Sequence, residues 1–137
     1  MKRSPLRRVG RRGLNLRMLD CLLREVVLRR DGFKCRKCDR GKQRGRGGGL
    51  QAAHIFPKGQ YPSMRYELQN VVCLCASCHI YGPDAWHRHP IAAQEWAKEH
   101  FGTDYLWRLS VTALTRTQHP DHAAIKLMLE QELRNGR

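Results

Sequence analysis

Three absences bound this 137-residue sequence before any motif is read. No apolar run approaches the roughly 20 residues needed to cross a bilayer. The basic opening MKRSPLRRVGRRG is followed by no apolar core with a cleavage site, so it does not read as a secretory signal. Acidic residues are scarce: 12 Asp and Glu stand against 26 Lys and Arg, leaving a net charge of +14. The first two absences predict a cytoplasmic protein, and the third points to an anionic partner, most often nucleic acid. No internal repeat is present, and no clear aromatic RNA-binding motif, although basic charge leaves RNA open as a substrate. The length suits one modest core rather than two.

What is present is unevenly placed. Residues 1–50 hold 17 of the 26 basic residues and 4 of the 12 acidic ones, so nearly all the net charge lies there. Residues 1–13 are rich in Arg and Gly with no apolar period. They predict a disordered basic arm, with Arg7, Arg8, Arg11 and Arg12 lying along phosphates, ahead of a single domain at 14–137. Residues 40–49, RGKQRGRGGG, predict a flexible basic loop, in which Arg44 and Arg46 are further candidates for nucleic-acid contact.

Between and beyond these segments the apolar pattern predicts elements. NLRMLDCLLREVVLRR, residues 15–30, has helical periodicity with Leu16, Leu19, Leu22, Leu23, Val26 and Val27 on one broad face; Asn15 would cap it and Asp31-Gly32 end it. Cys21 falls within this pattern and reads as a buried core thiol. Residues 50–56 and 71–74 read as the two strands of a hairpin. A helix is expected after His89-Pro90, ending before Gly102, with Ile91, Trp96, Ala97 and Phe101 inward. Two more helices are expected at 104–115 and 120–134. Trp86, Trp96 and Trp107 read as core residues, and His100, His119 and His122 as structural or exposed.

Two constellations carry chemistry. The first is Cys35-x2-Cys38 and Cys75-x2-Cys78, separated by 36 residues between Cys38 and Cys75. Two such units are a strong signal for one tetrahedral ion held by four thiolates, a closed and therefore structural zinc site. Such a site gives a small domain folding free energy by tying the hairpin to the segment after the first helix. Cys73 competes with Cys75 on paper, but its spacing fits one ion less well. The second constellation is His54 on the first strand, Asn70 before the second, His79 directly after the second Cys pair, and His87. A lone strand histidine is usually structural; the grouping is what argues for chemistry.

The run A-H-I-F-P, then Q-N-V-V-C-L-C, then C-A-S-C-H resembles the HNH, or ββα-metal, endonucleases over residues 31–101. Within that group the stretch AHIFPKGQYPSMRYELQN is most similar to phage-type members, including recombination nucleases of the lambdoid NinG/Rap sort. The resemblance implies an α+β fold: a zinc-stabilised ββα-metal core with an N-terminal helix and a C-terminal helical extension at 103–135. It implies hydrolysis of DNA phosphodiester bonds, with branched or recombination DNA as one substrate class. It also implies His54 as general base, Asn70 orienting it through the side-chain amide, and His79 as ligand of a catalytic divalent cation, Mg²⁺ or another.

Departures from the family pattern are specific. The second histidine ligand would ordinarily lie about one turn after the first, where this chain has Pro83, so His87 is the choice and His89 or Asp84 the alternatives. The residue before the base, often a further ligand, is Ala53. Arg65, in the loop before Asn70, is a candidate for holding a phosphate bidentately. The rival readings are a zinc DNA-binding module without catalysis and an accessory protein of phage packaging. Cutting both strands of a duplex would require a homodimer or sequential action.

Overall fold

The computed structural model describes residues 11–39, 49–116 and 121–136, with side chains in the first helix from residue 15 onward. Helix α1 spans Arg11–Arg30. It begins earlier than the sequence suggests: residues 11–13, expected in the basic arm, are helical. Arg7, Arg8, Arg44 and Arg46 lie outside the described residues, as do the side chains of Arg11 and Arg12. From residue 15 on, α1 buries Leu19, Leu23, Val26, Val27 and Leu28. Cys21 is exposed rather than buried. Two positions beyond Leu19 is about 200° around a helix, which turns Cys21 away from the core face.

The end of α1 ties the helix to the hairpin and to the first cysteine turn. Phe33 N–H donates to Leu28 O and Gly32 N–H to Arg29 O, a paired closure that needs a left-handed residue, and Gly32 supplies it with φ +69°. Asp31, next to this turn, has a fully buried carboxylate. It accepts from Arg30 Nε (2.8 Å), Arg36 Nη1 (3.4 Å) and the main-chain N–H of Cys73 (2.8 Å). A charge without water must be answered by donors, and here they come from the helix, the Cys35-x2-Cys38 turn and the second strand at once.

Strands β1 (Leu50–His54) and β2 (Val71–Cys75) pair antiparallel, with Leu50 opposite Cys75 and His54 opposite Val71. β2 is buried at four consecutive positions, Val71 to Leu74, as its apolar composition requires. Arg24 of α1 donates twice to Leu50 O (3.1 and 2.9 Å), fixing the helix across the sheet.

Helix α2 (Pro90–Phe101) buries Ala93, Trp96 and Ala97. Gly102, with φ +95°, turns the chain directly into α3 (Thr103–Thr115), which packs on α2. Helix α4 (His122–Asn135), capped by Asp121 accepting from Ala123 N–H (3.0 Å), packs on α1 through the fully buried Leu129. Two further sequence expectations change here. Ile91 is 69% exposed and Trp107 65%, so neither belongs to the core, while Trp86 and Trp96 do. The one inward face of each short helix is already filled, by Ala93, Trp96 and Ala97 in α2 and by Leu109 and Ala113 in α3.

Among the described residues the architecture is therefore a two-stranded sheet with helices packed around it. No described helix is long and apolar enough to cross a membrane.

Candidate metal centre and histidine pocket

The Cys35 turn and the Cys75 turn meet. The Sγ atoms of Cys35, Cys38, Cys75 and Cys78 lie within 4.8 Å of one another, and Cys38 Sγ is 3.7 Å from Cys75 Sγ. A tetrahedral ion with Zn–S bonds of about 2.3 Å separates its sulfurs by about 3.8 Å. The donor set thus fits zinc in number, chemistry and spacing. Main-chain bonds hold the two turns together: Arg36 N–H donates to Cys73 O (2.9 Å) and Ala76 N–H to Gly49 O (3.1 Å). The electrostatics point the same way. Burial pushes the Cys78 thiol well up, and its contacts with the other thiols add to this. Burial acts on Cys75 in the same sense, but hydrogen bonds from Cys78 and the neighbouring thiols outweigh it and draw that thiol down. Four sulfurs competing for one negative charge is what a bound dication relieves. Cys73 is excluded from the cluster: it is buried, and its thiol is pushed up to about 12 by burial.

After Cys75 the chain does not run into a long helix. It makes one π-helical turn, Ser77–Tyr81, closed by Gly82 N–H to Ser77 O at 2.7 Å. Pro83 ends it, because the residue before a proline is driven to extended backbone, and Gly82 is extended at φ −72°, ψ 165°. Only glycine fits there, since a Cβ on Gly82 would lie 2.6 Å from Ser77 O. The segment after Pro83 folds back on the turn: Trp86 N–H donates to Cys78 O (3.1 Å) and His87 N–H to His79 O (3.0 Å). The His79 and His87 rings are thereby brought edge to face, 4.4 Å between centroids.

His54, His79 and His87 line one cavity of about 430 Å³, together with Ala52, Lys58, Trp86 and Ala93 among others. His54 Nε2 donates to the main-chain carbonyl of Arg65 at 2.8 Å. A carbonyl only accepts, so the ring carries its proton on Nε2 and the lone pair on Nδ1. His79 Nδ1 donates to Gln51 Oε1 at 2.5 Å, which leaves its Nε2 as the free donor atom for a metal. Burial pulls the pKa of both rings down to about 4, for His54 against the Arg65 hydrogen bond and for His79 with help from the His87 charge. Both are neutral at pH 7, the form that accepts a proton or binds a cation. His79 and His87 could offer two ring nitrogens to a cation; among the described residues, the four cysteines are the group in which three or more donors converge.

The Asn70 side chain makes no hydrogen bond to His54. It is fully buried, its Oδ1 accepting from Phe56 N–H (2.8 Å) and its Nδ2 donating to Phe56 O (3.0 Å) and Met64 O (3.2 Å). The direct orienting contact expected from the sequence is replaced by a grip on the loop whose next carbonyl, that of Arg65, holds the imidazole. Arg65 also differs from expectation. Its guanidinium is engaged by Asp20 of α1, Nε to Oδ1 at 3.0 Å and Nη2 to Oδ2 at 2.5 Å, while Tyr66 Oη donates to the same carboxylate at 3.1 Å. Burial would raise the Asp20 pKa, but these bonds and the Arg65 charge hold it below the usual carboxylate value.

Three functional candidates escape sequence reasoning: Gln51, Asp20 and Lys58. Gln51 and His79 are 28 positions apart and Asp20 and Arg65 are 45 apart, so spacing could not pair them. Ala53, where a further ligand was missing, is fully buried.

A two-stranded antiparallel hairpin, a four-cysteine cluster that could hold zinc and a cavity lined by His54, His79 and His87 thus lie together in this part of the fold. In keeping with this, residues 34–92 match the family model of the HNH endonucleases (HNH_2). Comparison with curated proteins and with solved structures gave no match.

Proposed function

We propose that this protein is a metal-dependent endonuclease that hydrolyses DNA phosphodiester bonds, with His54 as general base and a structural zinc ion held by Cys35, Cys38, Cys75 and Cys78. The observation that carries the reading is the His54 imidazole. It is neutral, fixed through Nε2 by the Arg65 carbonyl, and shares its cavity with His79 and His87. The match of residues 34–92 to the HNH endonuclease family supports the same reaction class.

In this reading His54 Nδ1 takes a proton from water as the water oxygen forms its bond to phosphorus, and the bond from phosphorus to the 3′ oxygen breaks. His79 and His87 would hold a divalent cation, Mg²⁺ or another, whose chemistry there would be to neutralise the charge that develops during hydrolysis, including that on the leaving 3′ oxygen. Gln51 fixes the His79 ring so that Nε2 faces outward from their hydrogen bond. Asn70 and the Asp20–Arg65 pair hold the loop that orients His54. Arg7, Arg8, Arg11, Arg12, Arg44 and Arg46 add sequence-independent attraction to the DNA backbone, which makes binding strongly salt dependent. Branched or recombination DNA is one proposed substrate class, on the resemblance of residues 53–70 to phage recombination nucleases.

The test is a cleavage panel of duplex, single-stranded, flap and four-way-junction DNA with Mg²⁺, Mn²⁺ or Ni²⁺. Cleavage by the parent and not by His54→Ala is the expected result. Binding without cleavage under every metal would favour a non-catalytic zinc module and overturn the enzyme reading.

A further inference from the structure

We propose that Lys58 is the cation that holds the scissile phosphodiester in this pocket, its ammonium contacting the non-bridging phosphate oxygens beside His54. The inference rests on the nuclease reading of the same cavity and assigns it a substrate-binding group. Arg65, the residue that sequence reasoning favours for this task, is occupied by Asp20. Other well-placed cations are also committed. Arg24 is bound to Leu50 O, Arg30 to Asp31 and two carbonyls, and Lys37 to Asp84 O. Among the described residues that line the cavity, Lys58 is the one lysine or arginine. It enters no hydrogen bond or ion pair with the described residues, and it is exposed.

Its position is built rather than incidental. Asn70 grips both the N–H and the carbonyl of Phe56, two residues before it. Pro57 O accepts from Gln60 N–H (3.1 Å) and Tyr61 N–H (2.9 Å), so the chain turns tightly at Lys58. The Phe56 and Tyr61 rings close the base of the turn edge to face, 5.3 Å apart. A flexible four-carbon stem therefore stands on a well-anchored turn in the lining of the pocket. The ammonium lies near enough to act electrostatically on His54, His79 and Asp20. No carboxylate of the described residues forms an ion pair with it, and the nearby Asp20 is already paired with Arg65, which leaves the ammonium open to an anion. The chemistry suited to that place is a phosphate: an ammonium serves as a point charge for oxygens whose negative charge grows as water adds.

The experiment uses the full chain with its zinc in place. Lys58→Gln, Lys58→Arg, His54→Ala and the control Lys98→Gln, which removes the same charge from an exposed position on α2, are compared for zinc content, thermal unfolding, DNA cleavage and DNA binding. Binding to a short duplex is followed against salt without added divalent metal. Loss of one phosphate contact makes the slope of log K against log[salt] shallower by about 0.9. Lys58→Gln is expected to show that change and a fall in kcat on the order of a hundredfold. Lys58→Arg should keep the slope and recover part of the rate, while Lys98→Gln keeps the parental kcat. A parental kcat in Lys58→Gln, with His54→Ala inactive, overturns the assignment and leaves the nuclease reading standing. If no protein cleaves, the nuclease reading fails by itself; a parental salt slope in Lys58→Gln then also overturns the phosphate contact.

Discussion

The main-chain carbonyl of Arg65 accepts a hydrogen bond from His54 Nε2 at 2.8 Å, and the side chain of the same Arg65 is locked to Asp20 on α1. One residue thus connects the first helix to the imidazole. Asp20→Asn should weaken this grip. The pair is partly exposed, so the expected stability loss is small, about 1 kcal/mol, as for other partly screened ion pairs. The effect on cleavage should be larger in kcat than in KM, since the variant misplaces the base and not the substrate. Steady-state kinetics together with denaturant unfolding checks the split; an equal change in kcat and KM would count against it.

His54→Ala should abolish cleavage while leaving zinc content and DNA binding intact. The pH profile adds a sharper requirement. With burial holding the His54 pKa at about 4, the neutral base persists well below pH 6.5, so the acid limb of kcat/KM should lie nearer pH 4 than pH 6.5. Stability has a defined sign as well. An unfolded histidine titrates near 6.5 and the folded ring near 4, so the unfolded chain binds the extra proton between these values. The contribution of this residue is full above about pH 6.5 and is lost as pH falls towards about 4. Comparing parent and His54→Ala unfolding across that window isolates it.

Chelator-washed protein should retain about one zinc per chain, measured by metal analysis. Cys35→Ser or Cys78→Ser should lose the ion and the cooperative unfolding transition. Cys73→Ala should keep the ion, because its thiol lies outside the four-sulfur cluster. Zinc loss in Cys73→Ala with retention in Cys75→Ala would reverse the ligand assignment.

Asn70→Ala removes three hydrogen bonds to Phe56 and Met64 and strands the Phe56 N–H in the interior. The expected destabilisation is about 2–4 kcal/mol, read by denaturant unfolding. Cleavage should fall even at temperatures where the variant is folded, through the loop that carries the Arg65 carbonyl.

Gln51→Leu leaves His79 in place but removes the acceptor of its Nδ1–H. Affinity for an added divalent ion, followed by calorimetry on zinc-loaded protein, should drop on the order of tenfold to a hundredfold. Zinc content should not change.

Local patterns carried much of this molecule. The leucine and valine spacing of α1, the apolar runs and turn residues around β1 and β2, and Pro90 and Gly102 at the ends of α2 all act through near neighbours. A sequence displays near neighbours directly. The two C-x-x-C units were legible for a similar reason: the geometry of one ion restricts how two thiolates can be spaced on a turn. The residues of the second constellation could be named because they fall in one ordered run around the second Cys pair, but their partners could not.

Contacts between distant segments were decided by the tertiary structure alone. Asn70 grips Phe56 and Met64 rather than His54 because of how the loop at 55–70 closes over the sheet. Arg65 meets Asp20 because of the way α1 crosses the hairpin. Cys21 and Trp107 turn outward because the inward faces of their helices are filled by other residues. His87 comes to lie against His79 because the backbone after Pro83 folds back on the π-turn, and Lys58 is left uncommitted because its neighbours' charges are paired elsewhere. Periodicity determines which face of an element is apolar; which polar groups find each other is determined by packing, because each buried donor or acceptor must take a partner from whatever the fold brings within reach.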